Sequence, residues 1–349
     1  MAAPRPEQDP SQLAFTQRVG REQLVPLWNF FSEWFTHEPR VAAQPYLWHY
    51  DGLRDLLLES ADIISAKEAE RRVLVLENPG LAGRHLVTDT LYAGLQVITP
   101  GEVAPAHRHT PVALRFVMEG TGGYTAVEGE RTWMEPGDFI VTPSWAWHDH
   151  GHEGEGPFIW LDVLDVPTIR FLGANFTERY PQERFPQGPP VDDSLHRYGT
   201  NMRPVGYARE SLASPVFSYP YSRTREALER LKQHSEWDPY HGLKMEYIDP
   251  TTGGPAIPTI STFIQLLPKG FATETYRSTD GGVFAVAEGT GTVTIGTGEA
   301  AKQFRFAKRD IFSVPCWAPY SIVADEESVI FSASDRSVQT KLGIWREQR

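Results

Sequence analysis

The sequence predicts an all-β protein with helical additions, in which two blocks of short strands follow one another along the chain. From about Arg72, short β-rich runs such as LYAGLQVI, LRFVMEG and DFIVTP alternate with Gly, Pro and Asp turns, and comparable runs return from about Ile260. Short strands separated by turn residues are typical of a β-sandwich or barrel. The 349 residues of the chain are enough for two such domains of moderate size.

Composition and charge exclude several classes of partner and site. The net charge is −12 and no Lys/Arg block offsets it, so the surface repels nucleic acid and anionic lipid. Cys316 is the only cysteine, which excludes an intrachain disulfide and cysteine-based zinc or iron–sulfur sites. No run of eighteen apolar residues occurs, and the N-terminus has no apolar core of a secretory signal. We therefore expect a cytoplasmic protein that does not span a membrane.

The N-terminal region, residues 1–70, is predicted to be a tail followed by a helical arm. Residues 1 to about 12 are polar and proline-bearing, which predicts a mobile tail. From Arg21, apolar residues at helical spacing predict an amphipathic helix, and they are Leu24, Trp28, Phe31 and Phe35. This helix would pack on a neighbouring subunit or cap its own domain. The run YDGLRDLLLES predicts a second short helix.

The strand-rich blocks set the remaining domain boundaries. The first block covers residues 71–180, and the second covers residues 256–349. Residues 181–255 between them are proline-rich and then helical, at REALERLKQHSEW, which predicts a connector.

The two blocks are related by an internal duplication. The matched positions, each pair separated by 169 residues, are Gly101 and Gly270, His107 and Tyr276, Arg108 and Arg277, His109 and Ser278, and Gly120 and Gly289. Further on, GDFIVTPSWAWH aligns with RDIFSVPCWAPY at a separation of 172 residues. Because glycines, a proline, a tryptophan and the apolar alternation all agree, the repeat is specific.

The duplication singles out three histidines of the first block. Where the first block has His107, His109 and His148, the second has Tyr276, Ser278 and Tyr320. The scaffold residues match and the histidines do not, so a solely structural role for the histidines does not explain the pattern.

The spacing of these histidines predicts a metal site. Residues i and i+2 of a strand point to the same face, so His107 and His109 face inward and Arg108 faces outward. His148 follows a tight turn, and its strand can pair beside the first. Three imidazoles would then converge on a divalent cation and leave its opposite face open. Three neutral donors leave the full 2+ charge of the cation, which favours an anionic chelating substrate.

Two further histidines lie on the same strand face as His148. Register against the glycine and proline of the first block selects His148 as the ligand. His150 is then a candidate for an outer hydrogen bond or for acid–base chemistry, and His152 is expected at the surface.

These motifs resemble the two sequence motifs of the cupin superfamily. They read G-x5-H-x-H and G-x5-P-x-W-x2-H in this chain. The usual cupin glutamate, four residues after the second histidine, falls on Ala113 and is missing. In that departure the chain resembles the bicupin ring-cleaving dioxygenases of the gentisate and salicylate type. The resemblance extends to the segments ERRVLVLENPGL, APAHRHT, ALRFVMEG, TPSWAWHDHG and WLDVLD. The resemblance implies two double-stranded β-helix (jelly-roll) barrels in tandem.

The resemblance also implies residue roles. It implies Fe(II) held by His107, His109 and His148 in the N-terminal cupin, with O2 as co-substrate. The residues that it places around a small aromatic acid are Arg115 as a contact to the carboxylate, His150 and Asp162 as a pair that hydrogen-bonds substrate hydroxyls, and Gln96, Arg71 and Tyr92 as further lining residues. Because Arg115 lies in a run of apolar strand residues, its charge needs an anionic or hydrogen-bonding partner. Structural roles for Asp162, Gln96 and Arg71 stay open.

Two departures from the family pattern leave the exact substrate open. Val163 replaces a glycine in WLDVLD, and a side chain near the pocket would reshape the space around the ring. Lys67 stands where some relatives have a basic pocket residue.

The implied activity is opening of a 2-hydroxybenzoate between its carboxyl- and hydroxyl-bearing carbons, with gentisate giving maleylpyruvate. The same reaction on a 5-substituted salicylate or on 1-hydroxy-2-naphthoate is an alternative. From a different class, a non-catalytic bicupin binding protein also remains, as does a cupin isomerase with Zn or Mn. The resemblance implies a homotetramer.

Overall fold

The computed structural model describes residues 9–349, which form two compact units, residues 9–40 and Val41–Arg349. The first unit contains helix α1 (Pro10–Gly20), a 3-10 turn (Leu27–Asn29) and the single-turn helix α2 (Phe31–Trp34).

The structure corrects two expectations for the first unit. A helix begins at Pro10, inside the predicted tail, because the Asp9 side chain accepts a hydrogen bond from the Ser11 amide (3.0 Å) and proline suits the first helical position. The continuous helix predicted from Arg21 is wrong. Pro26 has no amide hydrogen to donate, and Gln23 has a φ of +58°, so the chain is helical only in short pieces. Residues 1–8 of the predicted tail lie outside the described residues.

The second unit carries the predicted strands. Its helices are α3 (Tyr50–Ile63), α4 (Ala66–Ala69), α5 (Val166–Phe171), α6 (Asp193–Tyr198), α7 (Tyr221–His234) and α8 (Arg336–Lys341), with 3-10 turns at Pro79–Leu81 and Gly298–Ala300. The strands up to the connector are β1 (Tyr46–Trp48), β2 (Val73–Val75), β3 (Tyr92–Ile98), β4 (Val103–His109), β5 (Ala113–Glu119), β6 (Gly123–Val127), β7 (Glu130–Met134), β8 (Phe139–Thr142), β9 (His148–His152), β10 (Phe158–Leu164) and β11 (Thr177–Arg179). The later strands are β12 (Ser218–Tyr219), β13 (Leu243–Glu246), β14 (Ser261–Leu267), β15 (Arg277–Ser278), β16 (Gly282–Glu288), β17 (Gly291–Ile295), β18 (Lys302–Phe306), β19 (Ile311–Val314), β20 (Tyr320–Ala324), β21 (Ser328–Ser334) and β22 (Glu347–Gln348).

These strands form two barrels of the same design, which confirms the predicted all-β tandem fold. The first barrel combines the sheet β12-β8-β5-β10-β3-β2 with the sheet β11-β4-β9-β6-β7. The second combines β1-β19-β16-β21-β14-β13 with β18-β17-β20 and the pair β15-β22. The helices predicted from YDGLRDLLLES and REALERLKQHSEW are confirmed as α3 and α7. In the described part of the chain, no helix is long and apolar enough to cross a membrane.

Segments outside the strand-rich blocks complete the sheets of both barrels. Strand β1 pairs with β19 of the second barrel, and β12 of the connector pairs with β8 of the first. Strand β13 pairs with β14, so it also belongs to the second barrel. The sequence did not predict these pairings, and the boundaries at residues 70, 180 and 255 stay a prediction.

Strand alternation in the large sheet separates an apolar core from a polar barrel interior. On β5, Leu114 and Phe116 belong to the core shared by the two barrels, where Phe116 stacks on Phe331 with ring centroids 4.3 Å apart. Arg115 lies between them in sequence and therefore points to the opposite face, into the first barrel. The rigid core thus fixes the sheet from which the polar side chains project.

The backbone confirms the duplication. Gly101 and Gly270 have φ values of +79° and +77°, and Trp145 and Trp317 have φ values of +64° and +62°. The cross-strand pair His107–His148 of the first barrel recurs as the bridge Tyr276–Tyr320 in the second.

Candidate metal centre

Three histidines converge inside the first barrel. His107 and His109 end strand β4, and His148 begins β9 directly across from His107. One ring nitrogen from each residue lies within 4.8 Å of the others, so the group could hold a metal ion. The predicted triad is therefore brought together.

Hydrogen bonds orient two of the three rings. The Nδ1–H groups of His109 and His148 donate to the carbonyls of Pro111 (2.7 Å) and Ala146 (3.0 Å), which leaves Nε2 of each ring with a free lone pair. Nε2 of His148 is buried and has no hydrogen-bond partner among the described residues. A buried acceptor without a partner is costly, and a bound metal ion would satisfy it. The residues therefore fit a metal.

The surroundings keep these imidazoles uncharged at neutral pH. Burial, aided by the charge of Arg71, lowers the pKa of His107 to about 2. Burial lowers the pKa of His109 to about 4 and the pKa of His148 well below its usual value. Neutral imidazoles offer lone pairs to a cation without first losing a proton.

Beside the histidines, Arg115 lies at the centre of a buried polar group. Its Nη1 donates to Thr142 Oγ1 (2.6 Å) and its Nη2 donates to His150 Nε2 (3.0 Å). Arg115 Nε lies 3.5 Å from Oδ1 of Asp162. The same Oδ1 accepts a hydrogen bond from Trp160 Nε1 (3.0 Å). These contacts place Arg115, His150 and Asp162 together, as the resemblance implies.

This group retains unused hydrogen-bonding capacity. Because Arg115 donates to Nε2 of His150, the proton of the neutral ring is on Nδ1, and this atom is buried without a partner among the described residues. Arg115 Nε also has no hydrogen bond there. Burial, and then the charge of Arg115, lowers the pKa of His150 well below its usual value, whereas burial raises the pKa of Asp162 to about 6. Two buried donors are thus available to a bound anion.

Three further residues expected in the pocket lie on or beside the same interior face. Arg71 Nη2 donates to the Pro105 carbonyl (2.8 Å) and contacts Nδ1 of His107. Gln96 is buried on β3, where it pairs with Trp160 of β10. Trp160 is two residues before Asp162 on that strand. Burial, with a contribution from Asp162, raises the pKa of Tyr92 above its usual value.

The structure does not bring three other residues into the expected positions. Val163 follows Asp162 on β10, so its side chain faces the apolar core between the barrels and not the pocket. Lys67 lies exposed on α4 and has no polar contact with the site. His152 is buried, not at the surface, because Nε2 donates to the Gly156 carbonyl (2.7 Å) and Nδ1 accepts from the Gly154 amide (3.3 Å).

Sequence reasoning missed two residues that hold the site in place. Thr142 accepts from Arg115, and Trp160 donates to Asp162. Trp160 was detectable, since it lies two residues before Asp162 and therefore on the same strand face. Thr142 was not, because only the pairing of β5 with β8 brings it to Arg115.

The second barrel lacks an equivalent centre. The Tyr276 hydroxyl bonds Oε2 of Glu347 (3.0 Å) at the position that corresponds to His107. Strand pairing places Phe284 where the first barrel has Arg115, opposite Ser332 in place of Asp162. Among the described residues, the histidine group of the first barrel is the only cluster of its kind.

Comparisons with known proteins agree with this geometry. A cupin-domain family model matches residues 94–164. The chain is 51% identical over 335 residues to a protein named gentisate 1,2 dioxygenase 1 from Aquipseudomonas alcaligenes, which covers 96% of this chain and 95% of the relative. It is 35% identical to a 5-aminosalicylate 1,2-dioxygenase from a Comamonas species, over 96% of this chain and 89% of the relative. Among solved structures, a salicylate 1,2-dioxygenase from Pseudoaminobacter salicylatoxidans, as an adduct with gentisate, matches with a TM-score of 0.91 and 30% identity, covering 100% of this chain and 96% of that one.

Replacing one histidine tests the metal centre. His148→Ala should weaken Co²⁺ binding to metal-free protein by at least about 100-fold, because loss of an outer partner alone typically costs 10–100-fold and this change removes a donor. Titration against a competing chelator measures the affinity. His85→Ala, which alters an exposed histidine beside Glu77, should bind as the unmodified chain does. Equal affinities of the two variants would exclude this site.

Proposed function

The chain belongs to the gentisate and salicylate 1,2-dioxygenase family of ring-cleaving cupin enzymes, and on that premise we propose that its substrate is gentisate. The reaction would break the ring bond between the carboxyl- and hydroxyl-bearing carbons, insert both atoms of O2 and give maleylpyruvate. The observation that carries the proposal is the neutral histidine triad beside Arg115, with buried nitrogen atoms that lack partners.

We propose Fe(II) as the metal, held by His107, His109 and His148. When bound, it would supply a Lewis acid for a chelating hydroxyl and carboxylate and the redox chemistry that O2 requires. The three donors add no negative charge to the cation.

The charge of the pocket favours an aromatic acid. Arg71 and Arg115 bring positive charge to the site, where Asp162 opposes both of them and Asp149 and Glu70 also act on Arg71. In a buried environment this attracts a carboxylate more strongly than it would in water. Arg115 Nε, which lacks a hydrogen bond, would donate to the substrate carboxylate as a charge-assisted contact.

His150 and Asp162 would hold the substrate hydroxyls. The Nδ1–H of His150 is a donor that can stabilise negative charge developing on a phenolic oxygen. Asp162, once ionised, pairs with Arg115 and can accept a hydrogen bond from a hydroxyl on the ring. Trp160 and Thr142 keep the two charged groups in place through their own hydrogen bonds.

A substituted salicylate is the second candidate substrate. The 35% identical relative is named for 5-aminosalicylate, and a 30% identical relative from a Nocardioides species is named for 1-hydroxy-2-naphthoate. The 51% identity to a protein named for gentisate favours gentisate. The alternatives from other classes, a non-catalytic binding protein and an isomerase, do not fit membership of a dioxygenase family.

Oxygen uptake tests the proposed reaction. Protein loaded anaerobically with Fe(II) should consume one O2 per gentisate, because both atoms of O2 enter the product. It should consume O2 more slowly with salicylate or 5-aminosalicylate. Arg115→Gln should lower kcat/KM by about 10–100-fold, since hydrogen bonds to charged groups contribute about 1.5–3 kcal/mol. Arg305→Gln, at an exposed arginine paired with Asp325, is the matched control. No uptake with any of the three acids would overturn the proposal.

The pH profile tests the role of Asp162. Burial raises the pKa of this carboxyl to about 6, so it becomes an anion only as the pH rises through that value, or somewhat lower once a cation is bound. We therefore expect kcat/KM to rise with pH up to this region in the unmodified chain. Asp162→Asn should be slower throughout and should lack the acid limb. If kcat/KM of Asp162→Asn still falls at acid pH as in the unmodified chain, a group other than Asp162 causes that fall.

We further propose that the chain forms a homotetramer in the cytoplasm. Residues 9–40 carry large apolar side chains that are exposed in the single chain, namely Trp28, Trp34 and Phe35. Clustered exposed aromatics are typical of interaction surfaces. Light scattering should give about four times the chain mass of 39.3 kDa. Trp34→Ser combined with Phe35→Ser should lower that mass, and a monomer mass for the unmodified chain would contradict the assembly.

A further inference from the structure

A guanidinium on the outer face of β4 is held between two tryptophan rings. The Cζ atom of Arg108 lies 4.4 Å from the ring centroid of Trp145 and 4.4 Å from that of Trp147. Its Nε and Nη2 donate to Oε2 of Glu178 (2.9 and 2.6 Å), which lies directly across the strand pair β4–β11. We call these four side chains the arginine clamp. Each cation–π contact stabilises by about 0.5–2 kcal/mol, depending on burial.

The arginine clamp connects the chain segments that deliver the metal ligands. Arg108 stands between His107 and His109 on β4, and Trp147 immediately precedes His148. The turn that carries the tryptophans is also tied to β4, because the Trp145 amide donates to the His109 carbonyl (2.8 Å). One guanidinium therefore spans the two segments whose separation sets the ligand geometry.

The tryptophans of the clamp are fixed from behind. Trp145 packs on Phe176 with ring centroids 4.5 Å apart, and Trp147 packs on Tyr180 at 5.1 Å and stacks on Phe185 at 5.9 Å. The Trp147 amide donates to the carboxylate of Glu128 (2.6 Å). Both tryptophans would thus resist a shift of Arg108. Such rigid packing is what a residue that fixes the spacing of metal ligands needs.

The second barrel keeps only half of this clamp. Arg277 lies over Trp317, 4.5 Å from its ring centroid, and the Trp317 amide donates to the Ser278 carbonyl (2.7 Å), as Trp145 does to His109. Pro319 stands where the first barrel has Trp147, and Gln348 accepts from Arg277 where the first barrel has Glu178. At the two matched positions the second barrel therefore has a proline and a glutamine, and only the barrel with the histidines has a tryptophan and a glutamate there.

We propose that Arg108 is a positioning residue of the metal centre, which fixes the spacing between the strand of His107 and His109 and the turn that delivers His148. The proposal rests on the metal centre assigned above. Loss of Arg108 should therefore weaken metal binding, because a ligand triad binds well only when its donors are held near their coordinating positions. Loss of partners that orient metal ligands typically costs 10–100-fold in affinity.

The duplicated arginine supplies the matched control. Arg108→Gln and Arg277→Gln each remove a guanidinium from an equivalent strand, tryptophan and turn, but only the first lies beside the histidines. If both arginines act on stability alone, each variant lowers the thermal midpoint of unfolding and neither changes the Co²⁺ affinity of the folded protein. A positioning role predicts an effect on metal binding for Arg108 alone.

The experiment measures Co²⁺ affinity of the metal-free full-length protein, together with the thermal midpoint of unfolding. Arg108→Gln should weaken Co²⁺ binding by at least about tenfold and alter the visible spectrum of the bound ion. Arg277→Gln should change the affinity less than about twofold, although both variants lower the midpoint, and Arg108→Gln lowers it more because it loses the larger set of contacts. Arg108→Lys, which keeps the charge without the planar fork, should fall between Arg108→Gln and the unmodified chain.

Unchanged affinity and spectrum in Arg108→Gln would overturn the proposal, as would equal weakening by Arg277→Gln. If Arg108→Gln does not fold, Trp147→Leu gives the same reading, since it removes one wall of the clamp and leaves the arginine in place. The readout needs no substrate. Protein that binds Co²⁺ as expected but consumes no O2 with Fe(II) would therefore contradict the proposed reaction and leave the positioning role standing.

Discussion

Three imidazoles, one buried and two half-buried, converge inside a β-barrel, which is favourable only if something occupies the space between them. His107 and His148 face each other across β4 and β9, and Nε2 of His148 has no partner among the described residues. Their low pKa values, which follow mainly from burial, keep them from being satisfied by protonation at neutral pH. A cation resolves this cost. The surrounding arginines then balance a ligand that brings negative charge.

The duplication supplies a comparison within one molecule. Both barrels have the same strand order, the same positive-φ turns and an equivalent cross-strand pair, His107–His148 or Tyr276–Tyr320, so these features belong to the fold. The second barrel replaces Arg115 by Phe284 and the histidine pair by Tyr276 and Tyr320. What differs between the barrels is therefore the set of residues that a metal and an anionic substrate require.

The strands and the triad could be predicted from the sequence because both depend on short-range periodicity and on the repeat. The same alternation rule, applied one residue further, would have placed Val163 in the core and His152 inside with His148 and His150. The pairing of β1 and β12 with distant strands could not be predicted, since nothing local in those segments specifies a partner far along the chain. Apolar spacing did not predict the end of the N-terminal helix, because Pro26 and the positive φ of Gln23 interrupt it.

We expect the first barrel to bind the metal and its duplicate to bind none. Anomalous X-ray scattering at the iron absorption edge, from crystals of protein purified with Fe(II), tests it directly. We predict a single anomalous peak per chain, between His107, His109 and His148. A peak beside Tyr276 and Tyr320 in the second barrel, or none at the histidines, would contradict it.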